Sequence, residues 1–317
     1  MAGNKPAVEE VPVGTPAKPP FKARLKAHFK KWWWAHLIAF VVVVLVIALP
    51  VVYVGYPNIA QGDIDDSTLT IESMEISDPS PSGFHLTQRQ VIGSDSAFHP
   101  TIYSFDAEVS LAGGATFATV TVPQLRADDG VVVDIDQWLE LSDAGAFSDF
   151  SKAVMMNEEF QLKVRGKPDL KLGGLPRINV NYDKTVTMKG LNKLAGFEIM
   201  SLSLGSGDRS NGTVKIPNPS VLRLAMGNIT MEVSNNGTYL GQSFLNDLVL
   251  EPGENIVPMV SSLDTGALLD IVGGGDTTIP LTIVGNSSVY NGVEIPYFSA
   301  ALQSNTLNID VDLLGIL

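Results

Sequence analysis

The sequence predicts an all-β protein: two tandem antiparallel β-sandwich domains, each with a short helix, preceded by one transmembrane helix. Three observations predict it. Apolar and polar residues alternate through most of the chain, a nine-residue pattern recurs about 121 residues further on, and an uncharged apolar run stands near the N-terminus.

The apolar run extends from Leu37 to Tyr56 and is interrupted only by Pro50. Some ~20 residues at ~1.5 Å each match the ~30 Å hydrocarbon core of a bilayer. Lys18, Lys22, Arg24, Lys26, Lys30 and Lys31 crowd its N-terminal flank, whereas Asp63, Asp65, Asp66, Glu72 and Glu75 follow it, with no base before Arg89. Basic residues stay cytosolic, so the expected topology is type II, with the bulk of the chain luminal or extracellular. Trp32, Trp33 and Trp34 at one end and Tyr53 and Tyr56 at the other suit the headgroup level. A cleaved signal peptide fits less well: the basic region is long, the run exceeds ~7–15 residues and no small-x-small site follows it. Residues 1–31, rich in Pro, Ala and Lys, are expected to be a disordered basic cytosolic tail, and residues 32–57 the Trp cluster and signal anchor.

Beyond the anchor the period is two. In 104–111, Phe105, Ala107, Val109 and Leu111 alternate with polar residues. Phe160, Leu162 and Val164 do the same, as do Leu307, Ile309, Val311 and Leu313. Such strands bury one face and wet the other, as in antiparallel sheets packed face to face. Asp129-Gly130, Gly173-Gly174, Asn235-Asn236-Gly237 and Asn291-Gly292 punctuate them as turns. Residues 142–150 and 263–271 match at Asp143/Asp264, Gly145/Gly266, Ala146/Ala267 and Asp149/Asp270, with Phe147 and Phe150 becoming Leu268 and Ile271. Asp143 and Asp264 read as N-caps of short helices seated on a sheet. Upstream, Glu108-Val109-Ser110 corresponds to Glu232-Val233-Ser234. The expected domains are residues 60–192 and 193–317.

Composition narrows the function. The chain has 34 acids, 21 bases and no cysteine. Two acids and seven bases precede Leu37, which leaves 32 acids and 14 bases, a net charge of −18, beyond it. That charge disfavours nucleic acid and anionic headgroups, and the missing thiols remove disulfides and thiolate chemistry. His85 and His99 are the only histidines beyond the anchor. No zinc-binding His pair, Gly-x-Ser-x-Gly elbow or phosphate loop is present, and Gly273-Gly274-Gly275 follows a helix instead of preceding one. The acids 63, 65, 66 and 128, 129, 134, 136 lack calcium-loop spacing. No catalytic residue, cofactor or metal is expected. Four sequons, at Asn211, Asn228, Asn236 and Asn286, all fall on the expected luminal side as glycosylation candidates.

Residues 214–257 carry Ile216-Pro217-Asn218-Pro219-Ser220, the strand 229–233, the turn 235–241 and Glu251-Pro252-Gly253-Glu254-Asn255. This order resembles the water-stress/hypersensitive-response domain of late embryogenesis abundant proteins, group two. There an Asn-Pro pair opens a strand and a Pro-Gly-x-Asn turn precedes the next. Asn218, Pro219 and Gly253 are the matching positions, with roles in backbone shape. The first domain has no Asn-Pro pair at the corresponding place, so its kinship rests on the repeat. The layout from about residue 30 onward is similar to fungal single-pass membrane proteins with tandem domains of this kind, among them a vacuolar membrane protein that signals the end of autophagy. The resemblance implies an immunoglobulin-like sandwich and the vacuolar membrane, with the cell surface as second address. It implies either a non-enzymatic luminal scaffold or sensor, or a lipid-binding or lipid-transfer module holding lipid between its sheets. An apolar groove through both domains would favour lipid handling, and filled interiors the scaffold.

Overall fold

The computed structural model describes residues 20–204, 209–264, 266–267 and 278–312. Residues 1–19 of the expected tail, Leu268, Asp270 and Ile271 of the repeat, the triple glycine 273–275 and Leu313 lie outside them. The chain divides into two contact units, residues 1–56 and 57–317.

In the first unit, helix α1 (Phe21–Pro50) begins inside the expected disordered tail. Lys, Arg, Ala and Leu fill residues 21–31 and favour helix, so basic charge there coexists with helical structure. Trp32 departs from helical geometry (φ −116°, ψ 18°) at the edge of the Trp cluster. Pro50 lacks an N–H, and a π-turn, Val51–Gly55, follows it. The best window of this helical stretch has a mean hydropathy of 3.2 and no buried residue. It is long and apolar enough to cross a membrane.

The second unit opens with α2 (Tyr56–Asp66), whose Ala60 and Ile64 are buried. Gln61 exchanges two 2.9 Å hydrogen bonds with the backbone of Asn181, and the Lys184 ammonium donates to the carbonyls of Asp65 and Ser67. The strands follow as β1 (Thr68–Ser80), β2 (Gly83–Gly93), β3 (Thr101–Ile102), β4 (Phe105–Leu111), β5 (Thr116–Val122), β6 (Leu125–Arg126) and β7 (Val131–Glu140). Helix α3 (Ala144–Met156) leads to β8 (Glu159–Gly166), β9 (Asp169–Lys171), β10 (Ile178–Asn179) and β11 (Tyr182–Lys189). The second half has β12 (Glu198–Leu204), β13 (Arg209–Asn218), β14 (Leu222–Asn235), β15 (Thr238–Leu250), β16 (Gly253–Leu263), β17 (Thr278–Tyr290), β18 (Val293–Glu294), α4 (Pro296–Ser304) and β19 (Thr306–Asp312).

The repeat is visible strand by strand. In the first copy β1 pairs β2, β2 pairs β7, β4 pairs β5 and β8, and β8 pairs β11. In the second, β12 pairs β13, β13 pairs β16, β14 pairs β15 and β17, and β17 pairs β19. Even a register shift is duplicated. Val109 faces Ala118 while Ser110 faces Thr116, and Val233 faces Gly241 while Ser234 faces Tyr239. Both caps form as the sequence predicts: Ala146 N–H donates to Asp143 Oδ1 at 2.9 Å, and Ala267 N–H to Asp264 Oδ1 at 3.0 Å.

The two copies are not separated at residue 192. Met74 to Ile76 of β1 pair in parallel with Leu222 to Leu224 of β14, so one eleven-stranded sheet runs through both. Arg223 binds Glu251 (2.8 Å) and Glu75 across that seam. Helices α3 and α4 pack together, Phe147 against Tyr297 with ring centres 4.8 Å apart. One continuous core includes both halves, and residues 57–317 are one contact unit in place of the two expected domains. A sandwich edge left with unpaired backbone groups is satisfied by the neighbouring copy.

Candidate functional site

Between the sheet β7-β2-β1 and the sheet β5-β4-β8-β11 lies an apolar cleft. Its walls carry Ile71, Leu86 and Ile135 from one sheet and Ala107, Val120 and Leu162 from the other. Its cavity volume is about 60 Å³. The interior of the second copy is divided between two smaller cavities, of about 20 Å³ and about 40 Å³.

Two features of the chain explain the difference. The second copy is stitched along one edge, where Gly241 to Phe244 of β15 pair with Leu263 to Val260 of β16. The first copy has a single bridge there, Ala118 to Leu141. Fewer hydrogen bonds hold its two sheets together. The first copy also carries insertions between β2 and β4 and between β5 and β7, and a differently folded connection between β8 and β11. These build a separate small sheet in the order β10-β9-β3-β6, and its Ile102 and Leu125 line the cleft. In the second copy the corresponding connections are the turns 219–221 and 251–252 and the segment of β18 and α4.

The opposite end is closed by aromatic rings. Phe147 of α3 stands 5.1 Å from Phe84, 5.1 Å from Phe117 and 5.4 Å from Phe150, centre to centre. Side chains of β2 at alternate positions line the cleft from there: Phe84, Leu86, Gln88, Gln90 and Ile92. Gln88 Nε2 donates to Gln90 Oε1 at 2.8 Å, and both residues are buried. The sequence does carry their signal, two glutamines at period two between Leu86 and Ile92, but it is read only once the inward face is known.

Tyr182 also lines the cleft, and Tyr297 packs on Phe147 with a buried hydroxyl that has no partner among the described residues. Burial pushes both phenols well above the ordinary value of 10.0. A raised folded-state value means the folded chain holds these protons more tightly than the unfolded one. Stability is therefore full below about pH 10 and falls as the pH climbs beyond it. In an alkaline titration followed at 295 nm, Tyr182 and Tyr297 are expected to ionise only on unfolding; their ionisation before the unfolding transition would contradict their burial. Tyr297→Phe is expected to leave stability unchanged or raise it, since it deletes a buried hydroxyl without a partner.

The four sequon asparagines are exposed, on β13, β14, the β14–β15 turn and β17. They are not gathered into one site. Asn228 Oδ1 accepts the Asp247 N–H at 2.9 Å and Asn286 Nδ2 donates to Glu232 at 3.3 Å. Asn218 and Gly253 are brought together as direct partners in the β13–β16 ladder. Asn218 ends β13, in place of opening a strand, and its buried amide donates to Leu222 O (2.7 Å) and accepts from Ser220 Oγ (2.6 Å), wrapping the turn at Pro219. Asn255 holds the turn before Gly253 through Glu251. The histidines do not enter the cleft: His85 binds Asp136 at 2.5 Å, and His99 lies 3.2 Å from Asp128. Among the described residues, no three metal-ligating side chains gather.

A family model described as a protein of unknown function (DUF3712) matches residues 115–233. The match begins beside β5 of the first copy and ends at Val233 of the second, so it crosses the seam. No curated protein matches the chain. Among solved structures, red sea bream transglutaminase aligns at 11% identity and a TM-score of 0.25, over 77% of this chain and 31% of its own. An adhesin from the bacterium Mobiluncus mulieris, with intramolecular disulfide, isopeptide and ester cross-links, aligns at 8% identity and a TM-score of 0.23, over 75% and 81%. The chain thus spans about a third of the transglutaminase, and likeness at this level carries no functional argument.

Proposed function

We propose that this is a non-enzymatic, membrane-anchored protein whose first sandwich holds a lipid-like ligand between its sheets. The observation that supports this reading is the contrast between copies: the first has a single cleft lined almost wholly by apolar side chains, while its duplicate is stitched along one edge and divides its space between two smaller cavities. Apolar pockets with a few polar groups are the usual form of small-molecule sites. The second copy, with its space divided and its edge stitched, serves in this reading as a rigid support, which is the scaffold role. Native mass spectrometry of the full-length protein tests it. Wild type is expected to carry a lipid mass that Ala107→Phe, which fills the cleft from β4, does not retain; equal lipid on both proteins would reject the reading.

The basic flank before the span and the acids after it support a luminal position for the sandwiches. The resemblance to fungal tandem-domain proteins favours the vacuolar membrane. Sugar on the exposed sequons would give a mobility shift that replacing Asn211, Asn228, Asn236 and Asn286 by Gln removes. Protease added to sealed vesicles is expected to spare residues 57–317; their digestion would reverse the topology.

A further inference from the structure

We propose that Gln88 and Gln90 are the polar end of the cleft and select a ligand carrying an uncharged hydroxyl on a long apolar body. This rests on reading the cleft as a lipid site. Both glutamines face inward from β2, and the 2.8 Å bond between them uses one N–H group and one carbonyl. Whichever way the two amides are turned, the pair keeps one carbonyl oxygen and one NH₂ for a third group. Among the described residues, Gln88 Oε1 and Gln90 Nε2 meet no protein partner. Neither atom is sealed from solvent, so a hydroxyl that enters the cleft can reach both.

The duplicate carries apolar residues at these positions. Leu141 bridges Ala118 as Leu263 pairs with Gly241, so β7 and β16 superpose with an offset of about 122 residues. Gln88 faces Ile135 and Gln90 faces Val133; in the second copy Val214 faces Val257 and Ile216 faces Asn255. The counterparts of the two glutamines are therefore Val214 and Ile216, both buried, with Ile216 on the wall of a largely apolar part of the second sandwich. The fold forms without amides at these places. They stand only in the first copy.

The lining decides the class of head. None of the side chains around the cleft is charged, so a phosphate or an ionised carboxylate would be desolvated without a counter-charge. A hydroxyl matches the pair: its oxygen accepts from the Gln90 NH₂ and its hydrogen goes to the Gln88 carbonyl. From Gln88 to Phe84 the strand advances about 13 Å. The apolar body lies along that stretch, past Leu86, and a hexadecyl chain, longer than the stretch, turns back at the rings of Phe84 and Phe147.

The test uses the full-length protein in phosphatidylcholine nanodiscs, photolabelled by hexadecanol with a mid-chain diazirine and mapped by peptide mass spectrometry. Unlabelled 1-hexadecanol is expected to compete at about tenfold lower concentration than hexadecane, as two hydrogen bonds predict. In Gln88→Met/Gln90→Met the two competitors should converge. Equal competition in wild type overturns the proposal without needing a variant that folds, as does an unchanged gap in the variant. Palmitate competing better than hexadecanol at pH 7.5 overturns the neutral head. Label in the cleft peptides with equal competition leaves the lipid reading standing and removes only the glutamine assignment; no label in those peptides removes both.

Discussion

Phe147→Ala is expected to cost about 3–5 kcal/mol of folding stability. Phe147 is almost wholly buried and sits among Phe84, Phe117, Phe150 and Tyr297. Those rings come from β2, β5, α3 itself and α4, so one truncation empties a point where both copies meet. A cavity lined by stiff rings collapses poorly, and the lost contacts add to the lost transfer energy. The loss approaches the total stability of about 5–15 kcal/mol available to an ordinary domain. Urea unfolding followed by far-UV circular dichroism measures it. A loss under about 1 kcal/mol would mean that the cluster is not the joint between the copies. Phe147→Leu, which keeps most of the volume, should cost much less.

Gly241→Ala is expected to cost about 3 kcal/mol or more, from steric overlap and backbone strain together. Gly241 has φ +142°, and an added Cβ would lie 2.1 Å from the carbonyl oxygen of Ser262 on the neighbouring strand. Neither atom can retreat, because the β15–β16 pairing begins at that residue. Its counterpart in the first copy is Ala118, fully buried, where only an isolated bridge approaches. The duplication therefore supplies its own control. Ala118→Gly should be mild, and a Gly241→Ala protein within about 0.5 kcal/mol of wild type would refute the close approach.

Much of this architecture is legible in the chain before any coordinates. Alternation around Val109 and Val233 marks the strands because a half-buried sheet needs period two. The Asp143 and Asp264 caps are legible because a helix start leaves N–H groups that a short carboxylate satisfies. The helix from Phe21 is less so, since its basic composition also suits a disordered tail. The joining of the copies through β1 and β14 leaves no local trace at all. Three residue pairs make it, and Met74 or Leu222 would look the same in the middle of an independent sandwich.

Local sequence determines the apolar helix, the strands and the caps, because each follows from residues within a few positions of one another, and the duplication shows when two such local patterns are compared. The cleft is decided only by tertiary structure. It arises from a stitched edge present in one copy and reduced to a single bridge in the other, and from four short strands far apart in the chain that meet as one small sheet. Gln88 and Gln90 are ordinary polar residues on paper. They become buried amides because β7 and β1 fix the register of β2, and a shift of one residue would turn both toward water.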